Sequence, residues 1–220
     1  MKLDCVCPPV KPFTDAAVMG YLHEQQPSNH PILLEMEERT ARDGFPIIGP
    51  LVGRTCALLA RSVGARTVYE MGSGFGYSTF WFARAVGAEG RVLHTEGSRE
   101  RSVEARAYLE RAGLADRVAF KVGDGLDLAA AEPGLADVVF IDVDKHQYPA
   151  AWRIACEKVR VGGLILTDNT LWSGKVADVK VNDRDTVGAR TYNELALADP
   201  RFLTTILPLR DGLSVSLRLA

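Results

Sequence analysis

"RTVYEMGSGFGYSTFWFARAVG", Arg66 to Gly87, changes its periodicity across one glycine-rich turn. "RTVYEMG" carries β-branched and aromatic residues and stops at a glycine, which predicts a strand. "GYSTFWFARAVG" predicts a helix. The same alternation continues downstream. "RVLHTEG", "DRVAFKVGDG", "ADVVFID" and "LILTDN" read as strands, separated by the amphipathic "SRERSVEARAYLERAG" and by "YPAAWRIACEKVRVGG", a helix with a glycine stop. Strand alternating with helix gives an α/β fold built on a Rossmann-like, doubly wound, mostly parallel sheet.

The pattern breaks at the end of the chain. "RFLTTILPL", the turn "RDG" and "LSVSLRLA" form a C-terminal hairpin, so one late strand runs antiparallel to its partner. Upstream, residues 1–45 contain the helix-like "HPILLEMEERTARD" and are expected to form a helical arm or lid. "GPLVGRTCALLARSVG" follows with Leu51, Leu58 and Leu59 at helical spacing. At 220 residues and 47% hydrophobic content, one domain over 1–220 with one sizeable core is expected.

A net charge of −2 and a pI near 6.1 provide no basic field for a phosphate backbone, which disfavours nucleic acid as a partner. The apolar runs are strand-length, and "MKLDCVCPPVKPF" lacks the long apolar core of a signal peptide, so a cytoplasmic protein with no membrane partner is expected. Cysteines 5, 7, 56 and 156 show neither CxxC spacing nor a zinc-finger histidine, and reduced structural thiols are the default. Cys5 and Cys7 could form a surface redox pair, although such a pair in an extended leader is more often incidental.

"YEMGSGFGYS", Tyr69 to Ser78, joins the first strand to its helix. Gly72, Gly74 and Gly76 let backbone pass close to a ligand. A dinucleotide fingerprint would need a glycine at 77, where this chain has Tyr77, which counts against NAD. Glu70 stands two residues before the first glycine, unwelcome to a phosphate but not to a cationic amino-acid ligand. S-adenosylmethionine, with a sulfonium, an ammonium and no phosphate, fits that requirement. Glu96, followed by Gly97, ends the second strand, where an acid accepts hydrogen bonds from ribose hydroxyls. "GDG" at 123–125, with Asp124 and Gly125, follows the third strand and is expected to flank an adenine ring. Singly, a glycine turn is usually only a turn and such an acid a helix cap; their order on successive strands favours a site.

Two further strand ends are acidic. "FIDVDKHQY" puts Asp142 after the fourth strand, and "LILTDNT" puts Asp168 and Asn169 after the fifth. Ligands in this fold bind beyond the carboxyl ends of the strands, so these oxygens can converge. Two carboxylates and a carboxamide are hard donors suited to Mg²⁺, with Mn²⁺ or Ca²⁺ as further candidates, and the lack of His or Cys argues against zinc. Taken singly, Asp142 as a helix cap and "TDNT" as a polar turn are the plainer readings.

"YEMGSGFGYS", "HTEGS", "FIDVDKHQY" and "LILTDNTLWSG", in that order, make the chain resemble the metal-dependent O-methyltransferases of the catechol and caffeoyl-CoA type, which use S-adenosylmethionine. The similarity runs from about Gly44 to the C-terminus and includes "YNELALADPRF" and "LPLRDGLSV". It implies a seven-stranded methyltransferase fold, often a homodimer, with a divalent metal on Asp142, Asp168 and Asn169. The family's catalytic lysine falls on Lys145. Asp142 and Ser78 are also expected beside the cofactor, and Trp172 as a wall for a catechol-like substrate. Trp81 and Trp152 are expected to pack in helices against the sheet.

A metal would bind both oxygens of a vicinal diol and lower the hydroxyl pKa, while Lys145 takes the proton. A free lysine has a pKa of about 10.4, so a lysine base needs burial or a nearby positive charge. The plainer role for Lys145 is an ion pair with Asp144, itself read as supporting the site. His146 is a second acid–base candidate, though an exposed loop histidine more often has no such role. In front of the first strand the chain departs from the family: "RDGFPIIGPLVGRT" replaces the usual polar "SPEQGQ" kind of segment, leaving lid contacts and substrate choice open. Two alternatives remain, a metal-independent N- or O-methyltransferase on the same fold and a non-catalytic S-adenosylmethionine-binding protein.

Overall fold

The computed structural model describes residues 16–220. The segment "CVCPPVKPF", read above as an arm or leader, lies outside the described residues, as do Cys5 and Cys7. Three helices precede the sheet: α1 (Ala16–Gln25), α2 (Pro31–Asp43) and α3 (Gly49–Ser62). Pro31 opens α2 behind the His30 cap, whose Nδ1 accepts from the Ile32 N–H at 3.3 Å. Gly44, at φ 74°, closes it.

The expected alternation follows as β1 (Thr67–Met71), α4 (Tyr77–Ala85), β2 (Arg91–Glu96), α5 (Arg99–Arg111), β3 (Val118–Val122), α6 (Gly125–Ala131), β4 (Ala136–Ile141), α7 (Tyr148–Lys158), β5 (Val159–Thr167), α8 (Arg184–Ala198), β6 (Phe202–Leu207) and β7 (Leu213–Arg218). The seven strands lie in the order β3-β2-β1-β4-β5-β7-β6. β1 to β5 are parallel, and β7 runs antiparallel to both β5 and β6. The winding reverses between β1 and β4, so a crevice opens beyond their carboxyl ends.

Alternation along the strands divides the core. Val68, Val138, Phe140 and Leu166 face the layer of α2 to α4, while Tyr69, Met71, Val139 and Ile141 face Tyr148, Trp152 and Tyr192 of α7 and α8. Both faces of the central strands are covered, which is why "ADVVFI" is nearly continuously apolar. Each large side chain fully buried there contributes about 1.5–3 kcal/mol. Trp81 and Trp152 are buried in α4 and α7 as expected. Cys56 and Cys156 are buried free thiols, and burial pushes the Cys156 thiol up to about 12.

Three elements differ from the sequence reading. β5 begins at Val159 rather than Leu164, because "VRVGG" stays in the sheet through a register slip opposite Ala136 to Val138. Gly162 supplies φ 75° there. α6 and α8 were not predicted as helices. In α8 the buried positions include Thr186, Gly188, Ala189 and Ala196, residues too small to write an apolar stripe into the sequence. Among the described residues no helix is long and apolar enough to cross a membrane.

Candidate active site

A cleft of about 460 Å³ lies beyond the ends of β1 to β4. Of the expected cofactor residues, Gly72, Gly74, Ser78, Glu96, Gly97, Asp124, Gly125 and Asp142 line it, and so does Lys145. Glu70 and Gly76 lie behind this wall, while Asp168, Asn169 and Trp172 stand to one side of it, past the end of β5.

The glycine loop is shaped first by the protein's own close contacts. A Cβ on Gly72 would collide with the carbonyl oxygen of Asp142, and one on Gly76 would press on Ala105 of α5. Both hold positive φ, 83° and 93°. The expectation that each glycine makes room for a ligand is thereby refined. Gly72 lets β1 exit against β4, and Gly76 lets α4 start against α5.

Beneath the loop, Glu70 is fully buried. It accepts from Thr79 Oγ1 at 2.6 Å and from Ser73 Oγ at 3.4 Å. Burial pushes its carboxyl up to about 7, against the opposing pull of the Ser78, Thr79 and Ser73 hydroxyls. His94 Nδ1 stands 3.0 Å from Thr79 Oγ1 and joins this network. Burial, then Arg106, pulls His94 down to about 3, so its ring is neutral. Thr95 ties the same network to the loop, donating to the Glu70 carbonyl at 2.6 Å and accepting from the Gly72 N–H at 3.3 Å. Glu70 thus sets the shape of the loop from below.

Glu96 is held by partners that the sequence reading missed. Its Oε1 accepts from the Ser98 N–H and from Arg101 Nε, each at 2.8 Å. Both grip one oxygen, which fixes the carboxylate on the cleft wall. The available signal was local: Ser98 caps α5, so Arg101 falls in its first turn. Asp124 caps α6 by accepting from the Leu126 and Asp127 N–H groups. Phe45 to Ile48 line the cleft. The Phe45 ring meets Phe75 edge-on at 5.4 Å, with the Arg101 guanidinium 5.1 Å from its centre. Arg210 Nη1 donates to the Ile47 carbonyl at 2.6 Å.

At the other end of the cleft, pairing of β4 with β5 sets Ile141 against Thr167, so Asp142 and Asp168 emerge side by side. Asp142 does not cap a helix; Lys145 Nζ donates to its Oδ1 at 3.2 Å and to the Val143 carbonyl at 3.2 Å. The pairing of Lys145 with Asp144 considered from sequence is replaced by this one, and Asp144 is exposed in the cleft lining. Asp168 is 2% exposed, and its Oδ1 has no hydrogen-bond partner. Burial, then the neighbouring Asp142 charge, pushes its carboxyl up to about 7. Tyr148 Oη donates to the Asp168 carbonyl at 2.7 Å, and Asn169 follows at φ 53°.

Among the described residues no three or more His, Cys, Asp or Glu gather as a metal-holding group. The donors expected from sequence are two carboxylates and the Asn169 carboxamide, of which pairing of β4 with β5 brings the two carboxylates side by side. A buried carboxylate oxygen without a donor, beside a second carboxylate, is the arrangement that a hard divalent cation would relieve, and in this sense the residues fit one. Trp172, at φ 47°, is half-buried, with Lys145 Nζ and Lys175 Nζ each 5.5 Å from its ring.

The O-methyltransferase family model matches residues 23–219. A catechol O-methyltransferase from Niastella koreensis is 32% identical over 196 residues, covering 84% of this chain and 89% of that protein. One from Mycobacterium tuberculosis is 40% identical over 139 residues, 63% of each. Among solved structures, an O-methyltransferase from Bacillus cereus in complex with SAH superposes with a TM-score of 0.83 at 33% identity, covering 92% of this chain and 97% of that one. TomG from Streptomyces achromogenes, in complex with SAM, gives 0.84 at 26% identity, covering 93% and 96%. With the family model running through nearly all the described residues, this chain belongs to the O-methyltransferase family.

Proposed function

We propose that the chain transfers a methyl group from S-adenosylmethionine to one hydroxyl of a vicinal diol, such as a catechol, with a divalent cation, Mg²⁺ by preference, at Asp142, Asp168 and Asn169. The observation that carries this reading is the buried, unpartnered Asp168 Oδ1 beside Asp142, at the edge of a cleft lined by the glycine loop and Glu96. The SAH- and SAM-bound relatives, and those named for catechol, support it.

S-adenosylmethionine supplies a methyl group on a cationic sulfur, and the cation supplies Lewis acidity toward the diol oxygens. The protein's own residues do the rest. Glu96, gripped through Oε1, keeps Oε2 for the ribose hydroxyls. Phe45 to Ile48 line the cleft with apolar side chains, which shields the reacting groups in part from water. Lys145, whose Nζ lies 3.2 Å from Asp142 Oδ1, is the group that takes the hydroxyl proton as the oxygen–carbon bond forms and the carbon–sulfur bond breaks. Tyr148 fixes the Asp168 backbone while this happens.

The test is methyl transfer from labelled S-adenosylmethionine to a panel of catechols, with Mg²⁺ and with excess EDTA. Turnover abolished by the chelator is expected. Turnover indifferent to it would transfer the reading to a metal-independent methyltransferase, and cofactor binding without turnover on any acceptor would point to a binding protein.

A further inference from the structure

We infer that α8 is the positioning element for Lys145, acting through Asp185 and Gly188; this rests on the role given to Lys145 above. Lys145 starts a 3-10 turn of three residues, Lys145–Gln147, closed by the Gln147 N–H on the Asp144 carbonyl at 2.8 Å and by the Tyr148 N–H on the Lys145 carbonyl. A turn that short does not hold itself, and a long lysine side chain loses about 2 kcal/mol of rotamer freedom when fixed. Nζ is held by Asp142 Oδ1 and the Val143 carbonyl, and the backbone beneath decides whether it reaches them.

That backbone is seated on α8. Asp185 Oδ1 accepts from the His146 N–H at 3.1 Å and stands 3.2 Å from His146 Nδ1. Gly188 faces the turn three residues later. A Cβ there would collide with the Lys145 carbonyl oxygen and press on His146 Cα. Gly188 is not among the glycines with positive φ, so glycine is needed at this position for close approach. Further along, Tyr192 meets the Tyr148 ring at 5.6 Å, and Asn193 Nδ2 donates to the Thr170 carbonyl at 2.8 Å. Residues 185, 188, 192 and 193 share one helical face. One helix thus registers the lysine turn against the strand end that carries Asp168.

The plainer reading of Asp185 is an acid in the first turn of a helix, favoured by the helix dipole. The two readings separate on chemistry: the dipole needs a charge, whereas seating His146 needs only an oxygen that accepts. Asp185→Asn keeps the oxygen and drops the charge. Asp185→Ala drops both.

The experiment measures kcat, cofactor Kd and thermal stability for D185A, D185N, H146A and K145A on an acceptor from the catechol panel. It also follows acetylation of Lys145 by acetic anhydride, by mass spectrometry, in the ligand-free chain. D185A is expected to lower kcat by about ten- to a hundredfold, as displacement of a catalytic group does, with cofactor Kd within about twofold. D185N restores most of it, and H146A, which keeps the backbone N–H, falls between. Acetylation of Lys145 is expected to rise several-fold in D185A and not in D185N, a readout that needs no turnover. Wild-type kcat in D185A while K145A is inactive would overturn the inference, as would failure of D185N to rescue. Full activity in K145A would instead overturn the role of the lysine. If D185A does not fold, the same comparison is made between G188A and H146A, with unchanged Lys145 acetylation in both as the overturning result.

Discussion

Two buried carboxyls, Glu70 on the cofactor side and Asp168 on the acceptor side, are both pushed up to about 7, yet their surroundings differ. Glu70 Oε2 is served by the hydroxyls of Thr79 and Ser73, while its Oε1, like Asp168 Oδ1, has no hydrogen-bond partner; the strands around it are laced together by Thr95. Asp168 Oδ1 has no donor, and the chain beyond it runs through positive φ at Asn169, Trp172 and Ser173, none of them glycine. The cofactor side is largely finished by the protein. On the proposed reading the acceptor side combines positive φ at three residues other than glycine with a carboxyl that no hydroxyl serves, a combination that accumulates where a ligand completes the structure.

Breaking the unfinished side should have the largest effect. Asp168→Ala removes the unpartnered oxygen, and on the proposed mechanism kcat falls by at least about a hundredfold, since even supporting groups around a metal cost 10- to 100-fold. Cofactor Kd, by calorimetry, should stay within about twofold. Chelator-sensitive turnover at the wild-type rate in this variant would end the metal assignment.

On the finished side the effect should appear in binding. Glu96→Ala removes hydrogen bonds to a charged acceptor, each worth about 1.5–3 kcal/mol, so cofactor Kd should rise about 10- to 100-fold. At saturating cofactor, kcat should be close to that of the wild type. A fall in kcat with unchanged Kd would reverse the division of labour between the two sides.

Glu70 offers a sharper test, because it needs no ligand. Its folded pKa of about 7 lies above the ordinary 4.5, so the folded chain holds a proton that the unfolded chain has already released. Stability therefore falls as pH rises from 4.5 towards 7, by about 3 kcal/mol for a shift of this size. Asp168 adds a loss of the same sign over its own range. In urea unfolding at pH 5 and pH 7.5, Glu70→Gln should narrow the difference between the two and leave the Asp168 share. An unchanged difference would mean that Glu70 does not titrate in this range.

What the sequence reveals follows from the same contrast. The glycine loop, Glu96 and the acids at 142 and 168 sit at strand ends, and strand ends are visible as the point where an apolar run stops. The sheet could be read for that reason, down to its antiparallel hairpin. Arg101 and Asp185 act by gripping another residue across space, and neither departs from its helical surroundings in the sequence. Gly188 sits in a helix where nothing but the third dimension requires a glycine. Glu70 was legible as an acid in the right place, while its burial beneath the loop, rather than in the cleft, depended on the Thr79 and His94 side chains coming from α4 and β2.

The smallest expected effect concerns the segment in front of the first strand, Phe45 to Ile48, which lines the cleft. Phe45 covers the glycine loop: a Cβ on Gly74 would press on the Phe45 ring, Phe75 meets that ring edge-on, and Arg101 stacks on it. The contact is partly exposed, so its aromatic and cation–π parts contribute about 0.5–1.5 kcal/mol each rather than the cost of a core cavity. Phe45→Ala should lower the stability of the ligand-free chain by about 1–3 kcal/mol and raise cofactor Kd about three- to tenfold. Since Arg101 also grips Glu96, part of that change would come from a loosened carboxylate. Phe45→Leu, which covers the loop without a π face, separates the two: affinity near wild type would assign the lid to burial, and affinity near that of Phe45→Ala would assign it to the Arg101 stack.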